Sequence, residues 1–281
     1  KAAAEYLKKI VTLLKPNGRL LAAVDNRYGL RYFCGEVETY TGKPFAGIKH
    51  YPQAAKGYTF SRQELLNIMK EAGFKNVKFY YPLPDYKLAQ MIYSDNYLPQ
   101  KDLGERLLFY HRNQSTLLVP EQQLYSDLID NQVFPFFANS FLTESSLDGE
   151  SSSVLFAAVT TDRGKKHGLS TCVHEISRKG EKKEGWIVKK RALYRDGQPS
   201  IESVYNNMME LEKRGIPVVP HKIEGDAVVM PFIPDITCSD YLRKLVSVGD
   251  RETFEAIFEM LYKNILKSSE IVLDGENKLP E

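Results

Sequence analysis

Four residues that could contact a substrate follow a short apolar run near the start of the chain. The run Leu20 to Val24 predicts a strand buried on both faces, as in a parallel sheet. Directly after it come Asp25, Asn26, Arg27 and Tyr28. Ligands of open α/β sheets bind beyond the carboxyl ends of the strands, so we predict that these four residues bind a substrate. A carboxylate, an amide and a guanidinium together can orient a polyhydroxylated or phosphorylated molecule.

The next segment, residues 31–57, is rich in aromatic residues, Gly and Pro and shows no sustained period. Long irregular loops in compact domains are usually functional, which favours substrate contact here. The alternative is a structural insertion that shields the end of the sheet.

A second candidate for chemistry is the run WIVKKRAL, Trp186 to Leu193, in which two lysines follow apolar residues. A primary ammonium at the end of such a strand can hold phosphates as a point charge. The long stem of a lysine also lets its charge reach solvent from any strand, so chance alone would often place Lys189 or Lys190 there.

Other reactive side chains show no pattern of a catalytic or metal site. The five His residues share no spacing, so we interpret them as structural. Glu36 with Glu38, or Asp25 with Glu36, could act as paired carboxylates in hydrolysis only with an opposed geometry that spacing cannot show. We therefore predict no catalytic residue and no metal ligand in this chain.

Composition indicates an ordinary globular protein. The 281 residues are 43% hydrophobic and 26% charged, enough for two domains, and the formal charge is +2. That balance implies no attraction to nucleic acid or anionic membranes. Cys34, Cys172 and Cys238 are few and far apart, as in a reducing, cytoplasmic compartment, and no apolar run is long enough to span a membrane.

The first half of the chain has the element pattern of an α/β domain. Residues 2–14 predict a helix that the turn around Gly18 ends, and Ser61 with Glu64 predicts a capping box that starts a helix ending at Gly73. A strand over Val77 to Tyr81 follows; Pro82 and Pro84 end it, and Lys87 to Tyr93 offers a return strand. A helix and an aromatic segment follow over residues 124–141, and we expect them to pack between two lobes. The Ser-rich stretch 145–153 comes next, and we predict it to be a linker.

This half resembles the second half of a class I S-adenosylmethionine-dependent methyltransferase. LKPNGRLLAAV, from Leu14, is similar to the fourth helix and fifth strand of that family, and Tyr58 to Tyr81 to its next helix and sixth strand. The family holds its cofactor with a Gly-rich turn and an acidic residue in its first half, and neither occurs here. The resemblance implies that residues 1–144 are the C-terminal part of a methyltransferase domain, with a partial Rossmann-like sheet, and that the chain is a fragment.

The second half, residues 154–281, predicts an antiparallel α+β unit. Strands are predicted over 154–160, 170–177 and 186–193, with turns at 162–168 and 179–185 between them. A helix over 201–214 and a hairpin over 218–234 around Glu224-Gly225-Asp226 follow. Two further helices are predicted at 239–246 and 251–269.

Three strands, one helix and two strands is the order of a protein-kinase-like amino-terminal lobe. By this resemblance Lys189 occupies the position of the lysine that reaches the nucleotide phosphates. The position of its glutamate partner, in the middle of the following helix, holds Asn206-Asn207 here, with Glu202 one turn before it and Glu210 one turn after it. VVMPFIPD, Val228 to Asp235, is similar to the fifth strand and interlobe hinge, and the last helices to the start of the carboxyl-terminal lobe. The turn TDRGKKHG lacks a three-Gly loop, as in aminoglycoside-phosphotransferase-like kinases. No catalytic segment or metal-binding Asp follows.

Together the two halves resemble the bifunctional methyltransferase-kinases of bacterial surface-polysaccharide (O-antigen) assembly. The resemblance implies methyl transfer from S-adenosylmethionine to a sugar or sugar phosphate of a glycan, with ATP as a second cofactor. The alternative is a non-catalytic interaction or scaffold module. In either case we expect a homo-oligomer, or another partner, to cover an exposed sheet edge.

The absence of the family's cofactor contacts from this sequence leads to a first prediction. Because the Gly-rich and acidic contacts are missing from the sequence, the isolated chain should bind S-adenosylmethionine poorly or not at all. Titration calorimetry checks this directly. A stoichiometric site of micromolar affinity would contradict the prediction.

Overall fold

The computed structural model describes residues 2–51, 57–107, 116–160, 167–176 and 185–268. Helices in these ranges are α1 (Ala2–Val11), α2 (Leu30–Phe33), α3 (Arg62–Glu71), α4 (Leu103–Arg106), α5 (Tyr125–Asp130), α6 (Phe134–Phe137), α7 (Gln198–Lys213), α8 (Cys238–Val248) and α9 (Arg251–Ser268). Strands are β1 (Arg19–Asp25), β2 (Asn76–Leu83), β3 (Met91–Ser94), β4 (Ser140–Ser146), β5 (Val154–Thr160), β6 (Leu169–Ile176), β7 (Gly185–Ala192), β8 (Lys222–Glu224) and β9 (Ala227–Pro231).

Within the described residues the nine strands form one sheet in the order β1-β4-β2-β3-β5-β6-β7-β9-β8. Every neighbouring pair is antiparallel. The predicted mixed α/β class is confirmed, whereas the parallel pairing of a Rossmann-like sheet is not found among these strands. The reason is β4, which the sequence did not reveal: it lies between β1 and β2, so these two strands run in the same direction without touching. We call residues 2–146 the N-terminal unit and residues 154–268 the C-terminal unit.

β1 is not buried on both faces, contrary to the sequence prediction. Exposure alternates along it, and Leu21 is 64% exposed. Leu20, Ala22 and Val24 pack against the core of the N-terminal unit, so only one face of the strand is covered. An apolar run in the sequence did not distinguish this half-covered edge strand from a central one.

The local signals around α3 are confirmed. Ser61 and Glu64 form the predicted capping box, and Gly73 ends the helix with a φ of 108°. The predicted break at Pro82 is wrong, because β2 continues to Leu83 and Pro82 pairs with Ile92 of β3. Pairing of β2 with β4 stops at Tyr80, so Pro82 has a strand neighbour on one side only, which is a position where a sheet tolerates proline.

The aromatic segment of residues 124–141 forms the core of the N-terminal unit rather than packing between two lobes. Phe134 lies with its ring centroid 5.7 Å from that of Tyr81 and 6.1 Å from that of Tyr125, and all three are buried. Phe141 of β4 contacts Phe79 edge-to-face at 5.7 Å. Short helices α5 and α6 place these rings against one face of β2 and β4.

The predicted linker is part of the folded structure. Ser145 and Ser146 belong to β4, and Ser152 donates two hydrogen bonds of 2.7 Å to the buried carboxylate of Glu144. Two residues after Ser152, β5 begins, and it pairs with β3. The sheet therefore runs without interruption from the N-terminal unit into the C-terminal unit.

The C-terminal unit has the predicted order of three strands, one helix and two strands. Its element bounds differ from the predicted ones by a few residues at most, except at the short hairpin strands β8 and β9. The hairpin turns at Gly225, whose φ is 61°. The predicted turns at 162–168 and 179–185 lie largely outside the described residues. None of the described helices is long and apolar enough to cross a membrane.

The outer edge of β1 generates a second prediction. No strand of the described part of the chain pairs with this edge, and a free strand edge is a template for association. We expect a partner to cover it, most simply a second copy of the chain. Sedimentation should then show a concentration-dependent dimer that Leu21→Lys weakens, because charges blunt strand edges. A monodisperse monomer throughout a dilution series contradicts the prediction.

Candidate functional site

The carboxylate at the end of β1 belongs to a buried ion-pair cluster. Oδ1 of Asp25 accepts a hydrogen bond of 2.5 Å from Nη2 of Arg31, and the two side chains are 4% and 8% exposed. Nη1 of Arg31 lies 3.4 Å from Asp85, and the Lys87 ammonium lies 3.5 Å from Asp25. Burial lowers the pKa of Arg31, but Tyr32 and Asp25 raise it more, so the net pKa is above its usual range and the guanidinium stays charged.

Asn26 is structural in this fold. Its side-chain nitrogen donates hydrogen bonds of 2.7 Å to the carbonyls of Phe136 and Ala138, and its side-chain oxygen accepts one of 3.0 Å from the backbone of Tyr28. The residue is fully buried. Its amide therefore joins the end of β1 to the segment before β4 and leaves no group for a substrate.

Arg27 and Tyr28 also hold the loop in place. Arg27 donates to the Glu64 carboxylate at 2.9 Å and to the Thr59 carbonyl at 3.2 Å. The Tyr28 ring stacks on Phe136 with centroids 4.9 Å apart. The four predicted substrate residues are consecutive in the sequence and therefore lie together. The main contacts of Asn26, Arg27 and Tyr28 are with other residues of the fold, which gives these three a structural role.

The groups that remain at this strand end are Asp25 and three residues that the sequence did not single out: Arg31, Asp85 and Lys87. They come together only because α2 folds back against β1 and the loop after β2 passes beside it. A cavity of about 50 Å³ adjoins Arg31 and Asp85. It holds one or two waters by volume, which is too little for a sugar ring.

A much larger cavity lies between the two units. Its volume is about 580 Å³, within the usual range for small-molecule sites. Rings from both units line it: Tyr97 lies 5.1 Å from Phe156, 5.6 Å from Trp186 and 5.8 Å from Phe232, measured between centroids. Polar groups at its rim include those of Asn96, Arg106 and Asp235. We call this the aromatic pocket.

Neither Lys189 nor Lys190 lines the aromatic pocket, and strand geometry decides which of them lies on the same face of the sheet as the pocket. Side chains alternate between the faces of a strand, so Val188 and Lys190 share the face of Trp186, whereas Lys189 lies on the opposite face. The strand register agrees, because Val188 is opposite Val173 and Val173 is opposite Phe156, another residue of the pocket. Lys189, the residue predicted from the sequence, therefore faces away from the pocket.

The opposite face of β7 is basic. Lys189 is opposite Cys172 there, and His174 lies two residues further along β6. Burial lowers the pKa of His174, and Lys189 and Arg191 lower it further through their positive charge. The described residues contain no cluster of His, Cys, Asp and Glu able to hold a metal ion, and the cysteines are free.

The two predicted glutamate partners of Lys189 are exposed on α7. Glu210 pairs with Arg214 at 3.1 Å and with Lys213 at 3.9 Å, both on its own helix. Glu202 is exposed. Neither carboxylate pairs with Lys189 in the described part of the chain, as expected from their positions one turn before and one turn after the middle of the helix.

Comparison with known proteins gave no match. The chain matches no protein-family model, no curated protein and no solved structure. The functional argument therefore rests on the residues themselves.

The Asp25–Arg31 pair generates a third prediction. Asp25→Ala should lower the free energy of unfolding by about 3–5 kcal/mol, because it leaves a buried guanidinium without its main partner. Urea unfolding measures the loss. The matched control is Asp226→Ala, which breaks a solvent-exposed pair with Arg191 and should cost less than about 1 kcal/mol. Equal, small losses in both variants would show that Asp25 is not a structural partner of Arg31.

Proposed function

We propose that the chain joins the closing strands of an S-adenosylmethionine-dependent methyltransferase to a kinase-like lobe that binds ATP in the aromatic pocket. In the parent protein the methyl acceptor is a sugar or sugar phosphate of bacterial glycan assembly. The observation that carries the proposal is the position of the aromatic pocket directly beyond the end of β9.

The chain runs from the last strand of the C-terminal unit along the wall of this pocket. β9 ends at Pro231, and Phe232 to Thr237 line the cavity before α8 begins. An interlobe hinge of a kinase-like protein would take this course. The base of a nucleotide is flat and aromatic, and it stacks on rings such as Trp186 and Phe232, whose centroids are 5.1 Å apart.

We assign the phosphate contact to Lys190, which lies outside the cavity lining but on the same face of β7 as Trp186. It is four residues from Trp186 on the same face of β7, a separation of about 13 Å along the strand. A nucleotide whose base lies against Trp186 can extend its phosphates along this face toward the Lys190 ammonium. Lysine binds phosphate as a point charge, so contact does not need a fixed geometry.

The N-terminal unit supports the methyltransferase part through its strand order. The resembled family finishes its sheet with an antiparallel pair, and here β4 runs antiparallel to both β1 and β2. The helix α1 precedes β1, and α3 precedes β2. At the end of β1 the partly exposed side chains of Lys87 and Asp85 are the groups that a polyhydroxylated acceptor on the surface would meet, because Asp25 is buried in its ion pair.

One observation favours the alternative of an interaction module. Large apolar side chains of α9 are exposed, among them Phe258, Met260 and Tyr262. Exposed apolar patches mark interaction surfaces. The two functions are separated by nucleotide binding, because a scaffold has no need of a pocket for ATP.

The experiment uses Trp186, which is the single tryptophan of the chain. Because its ring lines the aromatic pocket, ATP binding should change its fluorescence in a saturable way. Adenosine should compete with ATP, since the base makes the stacking contacts. Absence of any saturable change, together with absence of heat in calorimetry, would overturn the nucleotide proposal and leave the interaction module.

The two lysines of β7 give the fourth prediction. Lys190→Ala should weaken ATP binding by about tenfold to a hundredfold, because a hydrogen bond to a charged group contributes roughly 1.5–3 kcal/mol. Lys189→Ala, the matched control on the other face, should leave the affinity nearly unchanged. Adenosine binding should be insensitive to both. A selective loss in Lys189→Ala would place the phosphates on the opposite face and contradict the assignment.

A further inference from the structure

The N-terminal unit supplies part of the wall of the aromatic pocket. The turn from Ser94 to Tyr97 leaves the end of β3 and brings the Tyr97 ring against the aromatic side chains of the C-terminal unit. Asn96 and Arg106 of the same unit also line the cavity. A ligand in the pocket would therefore touch both units at once.

The turn that carries Tyr97 is held rigidly. Ser94 and Tyr97 exchange backbone hydrogen bonds of 3.2 and 3.1 Å. Between them, Asp95 accepts hydrogen bonds from the hydroxyl of Tyr81 and, at 2.8 Å, from Arg62. Tyr81 is fully buried in the core of the N-terminal unit, and the Arg62 guanidinium lies over the Phe79 ring.

These contacts place Asp95 between the core of the N-terminal unit and the aromatic pocket that both units line. The Tyr97 ring forms part of the wall of the cavity, whose volume is about 580 Å³. A ligand of nucleoside size therefore fits beside the Tyr97 ring and does not need to displace it. Tyr97 is then a wall of the site, and its ring is fixed by a turn that is anchored outside the site.

We infer that Tyr97 is a further ligand-binding residue of the nucleotide site, whose ring stacks on the base, and that Asp95 is the positioning residue that holds this ring against the bound base. This inference rests on the proposed function, since it names a second contact surface for the same ligand. It goes beyond that proposal in making the site shared: the base is recognised by both units together, not by the C-terminal unit alone.

The first arm of the test removes the ring. Tyr97→Ala should weaken binding of ATP and of adenosine by about tenfold, as expected for the loss of one aromatic contact to a base. Tyr97→Phe should retain the affinity, because stacking needs the ring and not the hydroxyl. Tyr6→Ala, which removes an exposed tyrosine of α1, is the matched control and should have no effect. Calorimetry is the readout, so that altered Trp186 emission does not enter the result.

The second arm tests whether Asp95 acts through Tyr97. Asp95→Ala should weaken ATP binding severalfold, and Asp95→Ala combined with Tyr97→Ala should bind no more weakly than Tyr97→Ala alone. Such non-additivity is the signature of residues that act as one unit. Losses that simply multiply would overturn the positioning role.

The outcomes distinguish failure of the shared site from failure of the proposed nucleotide-binding function. If the unmodified chain binds ATP and Tyr97→Ala binds equally well or more tightly, the shared site is wrong while the nucleotide pocket stands. If the unmodified chain binds no nucleotide, the proposed function is overturned, and the shared site with it. Thermal melting of each variant checks that it is folded. If Tyr97→Ala is unfolded, Tyr97→Phe still tests the site, because it should bind ATP as tightly as the unmodified chain.

Discussion

The pairing of β3 with β5 is the contact on which the relation of the two units depends. It consists of two residue pairs, Met91 with Ala158 and Ile92 with Ala157. Because this pairing makes the sheet continuous, the rings that follow β3 are brought against those of the C-terminal unit. A pocket walled by both units is a consequence of this short ladder and would not form if the units were joined by a flexible linker.

A buried carboxylate secures the connection that leads into this pairing. Glu144 of β4 accepts hydrogen bonds from Arg19 at 2.5 Å, from Tyr80 at 3.0 Å and from Ser152. Burial raises the pKa of Glu144, but the hydrogen bonds from Ser152 and Arg19 lower it more, and the net pKa is below its usual value. The Lys78 ammonium adds hydrogen bonds to the carbonyls of residues 152 and 154. The start of β5 is thereby fixed where it can meet β3.

Sequence patterns predicted the elements that local chemistry determines. The capping box at Ser61 and the three-strand, helix, two-strand order of the C-terminal unit are examples. β4 was missed because SFLTESS has little apolar character; it is a strand because β1 and β2 supply partners on both of its sides. The position of Asn26 at the end of a strand was predicted, but its structural role was not, because the carbonyl of Phe136 that it binds lies 110 residues away in the sequence. Likewise, alternation separates Lys189 from Lys190, yet only the folded sheet determines which face carries the aromatic pocket.

Photoaffinity labelling tests most directly whether the aromatic pocket between the units holds a nucleotide. A photoreactive ATP carrying an azide on its base, irradiated with the chain and mapped by peptide mass spectrometry, should label two stretches far apart in sequence. They are the turn at residues 94–97 and the segment after β9 at residues 232–237, and unlabelled ATP should protect both. Labelling confined to the other face of the sheet, where Ile187 of β7 lines a separate cavity with His221 and Lys222, would contradict the account. Labelling that excess ATP does not suppress would contradict it as well.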